Sequence, residues 1–355
     1  MKILIDIGHP AHVHYFKNLA SFFVNRKDEI LFTCRDKEVV VELLDQFGFR
    51  YKSIGLPGKN ILGKILRLIV FDLKLLMISL KFKPDILLSA GSIYAAHVAA
   101  LIRRSHITLE DTFNMEQVRL YMPFTSAVLT GNYKHIDLGK REIRYNGFQE
   151  LAYLHPDYFT PDPMIKQELL LPVNQKYFFL RFVSWNASHD VGQRGLSIKL
   201  KRELIELMSG HGRVFISSED VLPKEFEHLR FPLSPDKIHH VLAFADLYVG
   251  EGATMASECA MLGTTAIYIN PEEAGSIDEQ EKAGLIFHFR DENGVTEIIR
   301  ELLKNSELKT QSKERAQKLI SDKIDLTRFL IWFVEKWPDS FKIMKNNPDY
   351  QYRFR

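Results

Sequence analysis

Leu247-Tyr248-Val249-Gly250-Glu251-Gly252-Ala253-Thr254-Met255-Ala256-Ser257-Glu258 is the stretch on which the fold turns. Its apolar start reads as a strand, its glycines as a tight turn, and Ala253 onward as a helix. A strand that feeds a helix through a short turn is half of a βαβ unit, so a parallel sheet is expected. Gly250 and Gly252 would let a ligand approach the backbone closely. The N–H groups at the helix start, around Ala253, Thr254, Met255 and Ala256, can receive a diphosphate, helped by the helix dipole. Glu258 lies one turn inside, where its carboxylate could accept hydrogen bonds from two ribose hydroxyls. The plain alternative is the β–α turn of any α/β protein. The spacing is not Gly-x-Gly-x-x-Gly, which disfavours a nicotinamide dinucleotide.

Outward from this turn, strands and helices alternate in both directions. Strands are expected at 2–7, 30–34, 85–89, 106–110, 127–130, 177–182, 213–217, 247–249 and 265–269. Helices are expected at 12–25, 37–47, 92–103, 197–208, 235–245, 253–262 and 295–304, with helical sequence again from 308 to 337. Pro156, Pro161, Pro163 and Pro172 break the pattern and mark a linker. The expected architecture is α/β, with two Rossmann-like domains whose parallel sheets face a cleft. The first domain is 1–155 and would take the acceptor; the linker is 156–172; the donor domain is 173–325. A C-terminal helix and polar tail, 326–355, would pack back on the first domain. Ligands of open α/β sheets bind at the carboxyl ends of the strands.

Bulk properties narrow the function classes. The chain has 355 residues, 46% hydrophobic and 26% charged, an ordinary globular balance with enough apolar sequence for a sizeable core. A net charge of +2 gives no reason to expect nucleic acid as a partner. Cys34 and Cys259 stand far apart, which disfavours a disulfide framework and a cysteine zinc site. The apolar run Ile3-Leu4-Ile5 is too short for a signal peptide, so a cytoplasmic location is expected. Segment 61–82 is very apolar yet carries Lys64, Arg67, Lys74 and Lys81, with Lys59 and Lys83 flanking it. Those charges speak against a transmembrane span. Such a helix either lies on anionic lipid at the inner face of the membrane or covers a sheet with a solvated basic edge.

The first domain offers a histidine turn and a strand-end carboxylate. His9, His12 and His14 follow the first strand, and a histidine there could take a proton from an acceptor hydroxyl. They could equally cap the helix or pack in the turn, and a zinc on His12 and His14 lacks an evident third ligand. Glu110 ends a strand and reads either as a general base or as a helix N-terminal carboxylate beside Asp111 and Thr112. Arg181, Ser184, Asn186, His189 and Asp190 follow the first strand of the second domain. Arg181 could neutralise a departing diphosphate or pair with a carboxylate. No Asp-x-Asp pair occurs in the chain, which argues against a metal–diphosphate clamp, and no metal ligands are assigned.

The run from Gly252 to Glu258, followed by Leu262-Gly263-Thr264, resembles the donor-site motif of GT-B glycosyltransferases. It is most similar to that of the N-acetylglucosaminyltransferase that makes lipid II, and also resembles that of UDP-N-acetylglucosamine 2-epimerases. The resemblance implies a diphosphate at Gly252, Ala253 and Thr254 and a ribose at Glu258. It also implies a nucleotide base at Ile238, beside Asp236-Lys237. Asp278-Glu279-Gln280, before Lys282-Ala283-Gly284, resembles the segment that gives a glutamine to the donor sugar, which implies that role for Gln280. Glu251 and Glu258 have six residues between them, not the seven common in retaining enzymes. Ala11-His12-Val13 resembles the Gly-His-x-x-Pro turn of the lipid II-forming enzyme, with Tyr15 at the proline position; that enzyme docks to a membrane. Glu110 matches a glutamate that is catalytic in the epimerases, and Arg119 falls where they carry an arginine.

Over its whole length the chain is identified as a member of the GT-B-like domain-of-unknown-function family 354. The segments that carry this are Asp6-Ile7-Gly8-His9-Pro10-Ala11-His12-Val13-His14-Tyr15-Phe16, Gly147-Phe148-Gln149-Glu150-Leu151-Ala152-Tyr153-Leu154-His155-Pro156 and Arg181-Phe182-Val183-Ser184-Trp185-Asn186-Ala187.

Together these readings lead to an inverting, metal-independent glycosyltransferase of surface polysaccharide synthesis. It would use a nucleotide-diphosphate sugar, UDP-linked, as substrate rather than any cofactor, and a glycan or lipid-linked acceptor. His12 or Glu110 would deprotonate that acceptor. The rival readings are a UDP-sugar 2-epimerase and a non-catalytic nucleotide-sugar-binding protein. Against the epimerase, the first turn has Gly8-His9-Pro10 in place of that family's Gly-x-Arg-x-Glu.

Overall fold

The computed structural model describes residues 1–35, 38–56, 61–183, 195–219, 221–272 and 275–355, with the backbone alone at 38 and 61–67. The chain forms two compact units, one of Met1–Tyr153 with Lys323–Arg355 and the other of Leu154–Asp322.

The first unit is built on seven strands: β1 (Lys2–Ile7), β2 (Glu29–Arg35), β3 (Tyr51–Gly55), β4 (Ile86–Ala90), β5 (Ser105–Glu110), β6 (Ala127–Gly131) and β7 (Glu142–Tyr145). They pair in the order β3-β2-β1-β4-β5-β6-β7, all parallel. Helices on both faces explain why β4 and β6 are buried throughout and read as mostly apolar runs. The strand order reverses between β1 and β4, where crevices open at the carboxyl ends of such sheets. The helix after β1 spans Pro10–Asn25, two residues longer at its start than the sequence suggests. His9 caps it by accepting the Ala11 N–H, and Pro10 sits where its missing N–H costs nothing.

The second unit holds β8 (Tyr177–Phe182), β9 (Arg213–Ser218), β10 (Leu247–Gly250), β11 (Ala266–Ile269) and β12 (Ile286–Phe289). Their order is β12-β11-β10-β8-β9, again parallel, with the reversal between β10 and β8. Phe178, Leu180, Val249, Ile267 and Ile299 belong to its buried core, and each such side chain contributes roughly 1.5–3 kcal/mol. The Ala253–Leu262 helix stops at Gly263, whose φ of 74° and whose Cβ position, 2.9 Å from Lys313 Cα, admit only glycine.

The last residues are not a polar tail. Pro348–Phe354 forms a 3₁₀ turn, with the Tyr350 ring stacked 4.9 Å from Trp332 and Phe354 at 5.3 Å. The Asp325 N–H donates to the Phe354 carbonyl at 2.6 Å. The aromatic pair inside that polar stretch decides its packing. Among the described residues, no helix is long and apolar enough to cross a membrane.

Candidate functional site

The turn after β10 is shaped by two glycines with different reasons to be there. A Cβ on Gly250 would stand 2.2 Å from Tyr248 Oη and 3.0 Å from Arg181 Cβ. Gly250 therefore makes room for the protein's own buried tyrosine, not for a ligand. Gly252 has an ordinary backbone, φ −100° and ψ 124°, and a Cβ there would meet nothing closer than Val183 at 3.7 Å. Packing does not require glycine at this position, and its bare backbone is partly exposed. Gly252 is also the N-cap of the Ala253–Leu262 helix and provides no side-chain cap. The first N–H groups, at Ala253, Thr254 and Met255, thus form a partly exposed positive helix end.

Glu258 follows on the same helix and is 5% exposed. Its Oε1 lies 3.0 Å from Nε2 of the buried His239. His239 is the second residue of the Ile238–Phe244 helix, so this contact joins the start of that helix, next to Ile238, to the Ala253–Leu262 helix. Sequence alone gives no signal for His239, although it directly follows Ile238.

Gln280 departs from its expected role. It is fully buried, and its amide donates to Ser257 Oγ at 2.6 Å. It buttresses the inner face of the Ala253–Leu262 helix instead of presenting its side chain to solvent. Arg181, at the end of β8, is occupied too: its guanidinium donates to Ser217 Oγ and to Glu219, both at 2.7 Å. Glu251 is buried and accepts the N–H groups of Val183 at 3.1 Å and Leu196 at 2.7 Å. Ser184, Asn186, His189 and Asp190 lie outside the described residues.

In the first unit, the carboxyl ends of β1, β4 and β5 gather polar groups. Asp6 is buried, accepts from Thr33 at 2.8 Å and Ser92 at 2.5 Å, and pairs with Arg35 at 3.2 Å. The Gly8 N–H donates to His12 Nδ1 at 3.3 Å. A backbone N–H can only donate, so Nδ1 is the unprotonated nitrogen and Nε2 carries the ring proton. His12 in this state holds a donor, not a lone pair, at Nε2.

His14 and His12 are two residues apart on one helix, about 200° around its axis. That rotation turns His14 into the core, where it stacks on Tyr153 at 5.2 Å and meets Phe47 edge-on at 5.8 Å. The expectation of a reactive His14 gives way to a packing role.

Glu110 is buried, with Oε1 accepting from Thr112 N, Thr112 Oγ1 and Phe113 N at 3.0, 2.9 and 2.8 Å, and Oε2 accepting from Tyr121. These bonds fix the turn that leads into the Met115–Tyr121 helix, on which Arg119 lies in the last turn. The adjacent Asp111 is different. It keeps part of its surface exposed, accepts the Tyr15 hydroxyl at 2.7 Å, and has its carboxyl pushed up to about 6 by burial and by the Glu110 charge. Tyr15 in turn stacks on His12 at 5.7 Å. Asp111, Tyr15 and His12 thus form one polar group at the ends of β1 and β5.

Residues 1–336 match the model of the family described as protein of unknown function, DUF354. The chain belongs to the DUF354 family. A curated relative, an uncharacterized protein of Methanocaldococcus jannaschii, is 25% identical over 313 residues, 84% of this chain and 90% of its own. Among solved structures, the UDP-GlcNAc 2-epimerase from Neisseria meningitidis bound to UDP-GlcNAc matches 90% of this chain and 99% of its own, with 13% identity and a TM-score of 0.66. The glycosyltransferase SsfS6 of Streptomyces sp. SF2575 matches 95% and 100%, with 14% identity and a TM-score of 0.60. At such identities the likeness speaks for the fold. This DUF354 protein has two Rossmann-like units of the GT-B type.

Proposed function

We propose that this DUF354 protein is a glycosyltransferase that takes a sugar from a nucleotide-diphosphate donor, UDP-linked, and passes it to a glycan or lipid-linked acceptor. The observation that carries the reading is the uncapped, partly exposed start of the Ala253–Leu262 helix, with bare Gly252 before it and Glu258 behind it. A helix N-terminus with a side-chain-free approach is suited to a diphosphate. Glu258, oriented by His239, suits the ribose, and Ile238 the base.

In the reaction, the acceptor hydroxyl gives its proton to a carboxylate, and its oxygen bonds to the anomeric carbon. The bond from that carbon to the diphosphate breaks, and the diphosphate leaves with the electron pair. The N–H groups of Ala253 and Thr254 stabilise the growing negative charge. We assign the base to Asp111, because Glu110 is fully engaged with the 112–121 turn and His12 holds a proton at Nε2. A carboxyl near 6 is matched to proton removal close to neutral pH. Inversion and independence of metal belong to the same proposal, supported by the six-residue glutamate spacing and the missing Asp-x-Asp pair, and a place in surface polysaccharide synthesis follows from the proposed glycan or lipid-linked acceptor.

A panel of nucleotide sugars, incubated with and without membrane extract, tests the reading. Acceptor-dependent release of nucleoside diphosphate supports it. Isomerised sugar nucleotide without acceptor would instead identify a 2-epimerase, and binding without turnover a carrier of nucleotide sugars.

A further inference from the structure

The helix Ile61–Phe82 presents an outer face that a water-facing helix does not need. Phe71, Leu75, Ser79 and Phe82 turn inward, with Leu75 and Phe82 packed in one core cluster with Leu4, Leu31 and Leu87. On the opposite side Ile69, Leu73, Met77 and Leu80 are 55, 55, 63 and 58% exposed. Their spacing of four, four and three residues makes a continuous apolar stripe about 17 Å long. A contiguous exposed apolar patch of this kind marks an interaction site.

The end of the same helix lines a cavity of about 280 Å³ at the amino ends of β1 and β2. Lys2, Arg50, Lys52 and Lys81 line it, with Glu29 the only carboxylate in the wall among the described residues, and Glu29 is paired with Lys2 at 2.9 Å. Among the described residues no carboxylate pairs with Arg50, Lys52 or Lys81. An apolar stripe and an unneutralised basic pocket therefore share one helix, with Lys81 next to Leu80.

We infer that this helix docks on an anionic phospholipid bilayer, with the stripe entering the acyl boundary and the cations around its C-terminal end, Lys81 among them, drawn to the headgroup phosphates. Two features favour lipid over a protein partner. The stripe holds only aliphatic residues and methionine, without the tryptophan, tyrosine or arginine that anchor protein interfaces. Its charge complement is a cluster of cations, as interfacial helices carry against anionic lipid. Asp72 and Lys74 within the helix fit lying on a membrane rather than crossing it. This inference stands apart from the transferase reading, and either can fail alone.

Flotation of the full chain with vesicles tests it. The protein should rise with phosphatidylcholine–phosphatidylglycerol vesicles and not with phosphatidylcholine alone, and added salt should weaken the binding. Leu73→Glu with Met77→Glu should abolish flotation. Arg50→Gln and Lys52→Gln should each weaken it about fivefold. All four sites are at the surface, and melting curves confirm folding. No flotation with anionic vesicles overturns the inference, as does flotation that survives both pairs of substitutions. A concentration-dependent dimer that Leu73→Glu with Met77→Glu dissolves, seen by light scattering in a protein that does not float, would assign the face to a second copy and overturn it too.

Discussion

His239 Nε2 lies 3.0 Å from Glu258 Oε1, and the two residues are 2% and 5% exposed. One helix thereby aims a carboxylate carried by another. His239→Ala leaves that carboxylate short of a donor, at a cost of about 1–3 kcal/mol in denaturant unfolding. It should also weaken nucleoside-diphosphate binding about tenfold by calorimetry. His239→Gln, whose amide can donate, should recover part of both. Unchanged affinity and stability in His239→Ala would mean that the contact positions nothing.

The two glycines of the turn should separate stability from binding. Gly250→Ala drives a methyl into Tyr248 and Arg181, so it should lower unfolding free energy by about 1–3 kcal/mol or more. Gly252→Ala meets only an ordinary contact and should cost less than about 1 kcal/mol. Its methyl would stand at the helix start, so nucleoside-diphosphate affinity should fall about tenfold. Thermal melts and calorimetry on the two variants check both halves. Equal behaviour of the pair would contradict the assignment of Gly252 to ligand approach.

Stability against pH carries a signature of Asp111. Its carboxyl is raised from the ordinary 3.8 to about 6, so between these values the folded state keeps a proton that the unfolded chain has lost. Stability from this group therefore falls as pH rises through the window. His106, held between Ser89 and Thr125, is lowered by burial from 6.5 to about 3, so its contribution falls as pH drops. From about 4 to 6 the two oppose each other. Asp111→Asn removes one side, and its unfolding free energy should climb with pH more steeply than the wild type's, by up to roughly 1 kcal/mol per pH unit. Parallel curves would show that Asp111 titrates like an exposed carboxylate.

The C-terminal turn should be needed for a stable first unit. Ending the chain at Asn347 removes Tyr350 and Phe354 from Trp332 and the acceptor of the Asp325 N–H. Aromatic contacts are worth about 0.5–1.5 kcal/mol each beyond their area, so the melting temperature should fall by several degrees. An unchanged melt would show that the turn only rests on the surface.

The strands that the sequence revealed and those it hid differ in where they lie. Most interior strands are largely apolar, because helices cover them on both faces, although β5, SHITLE, buries His106, Thr108 and Glu110 as well. The strands missed, Tyr51–Gly55, Glu142–Tyr145 and Ile286–Phe289, are all sheet edges. Their sequences, YKSIG, EIRY and IFHF, mix polar residues into short runs and give no clear periodicity. The site was legible as far as strand ends: Gly252, Ala253, Glu258, His12 and Glu110 lie at or just beyond them. What each side chain touches was not. Tyr15 meets Asp111 across 96 residues, and Gln280 turns toward Ser257 across 23. Such contacts come from tertiary packing, which a motif does not encode.

Calorimetric titration of UDP and a UDP-sugar into the wild type and Glu258→Ala tests the central claim most directly. Saturable binding to the wild type, weakened at least tenfold in Glu258→Ala with the melt otherwise preserved, is the expected result. Equal affinity in the two proteins would contradict the placement of the donor nucleotide at the Ala253–Leu262 helix.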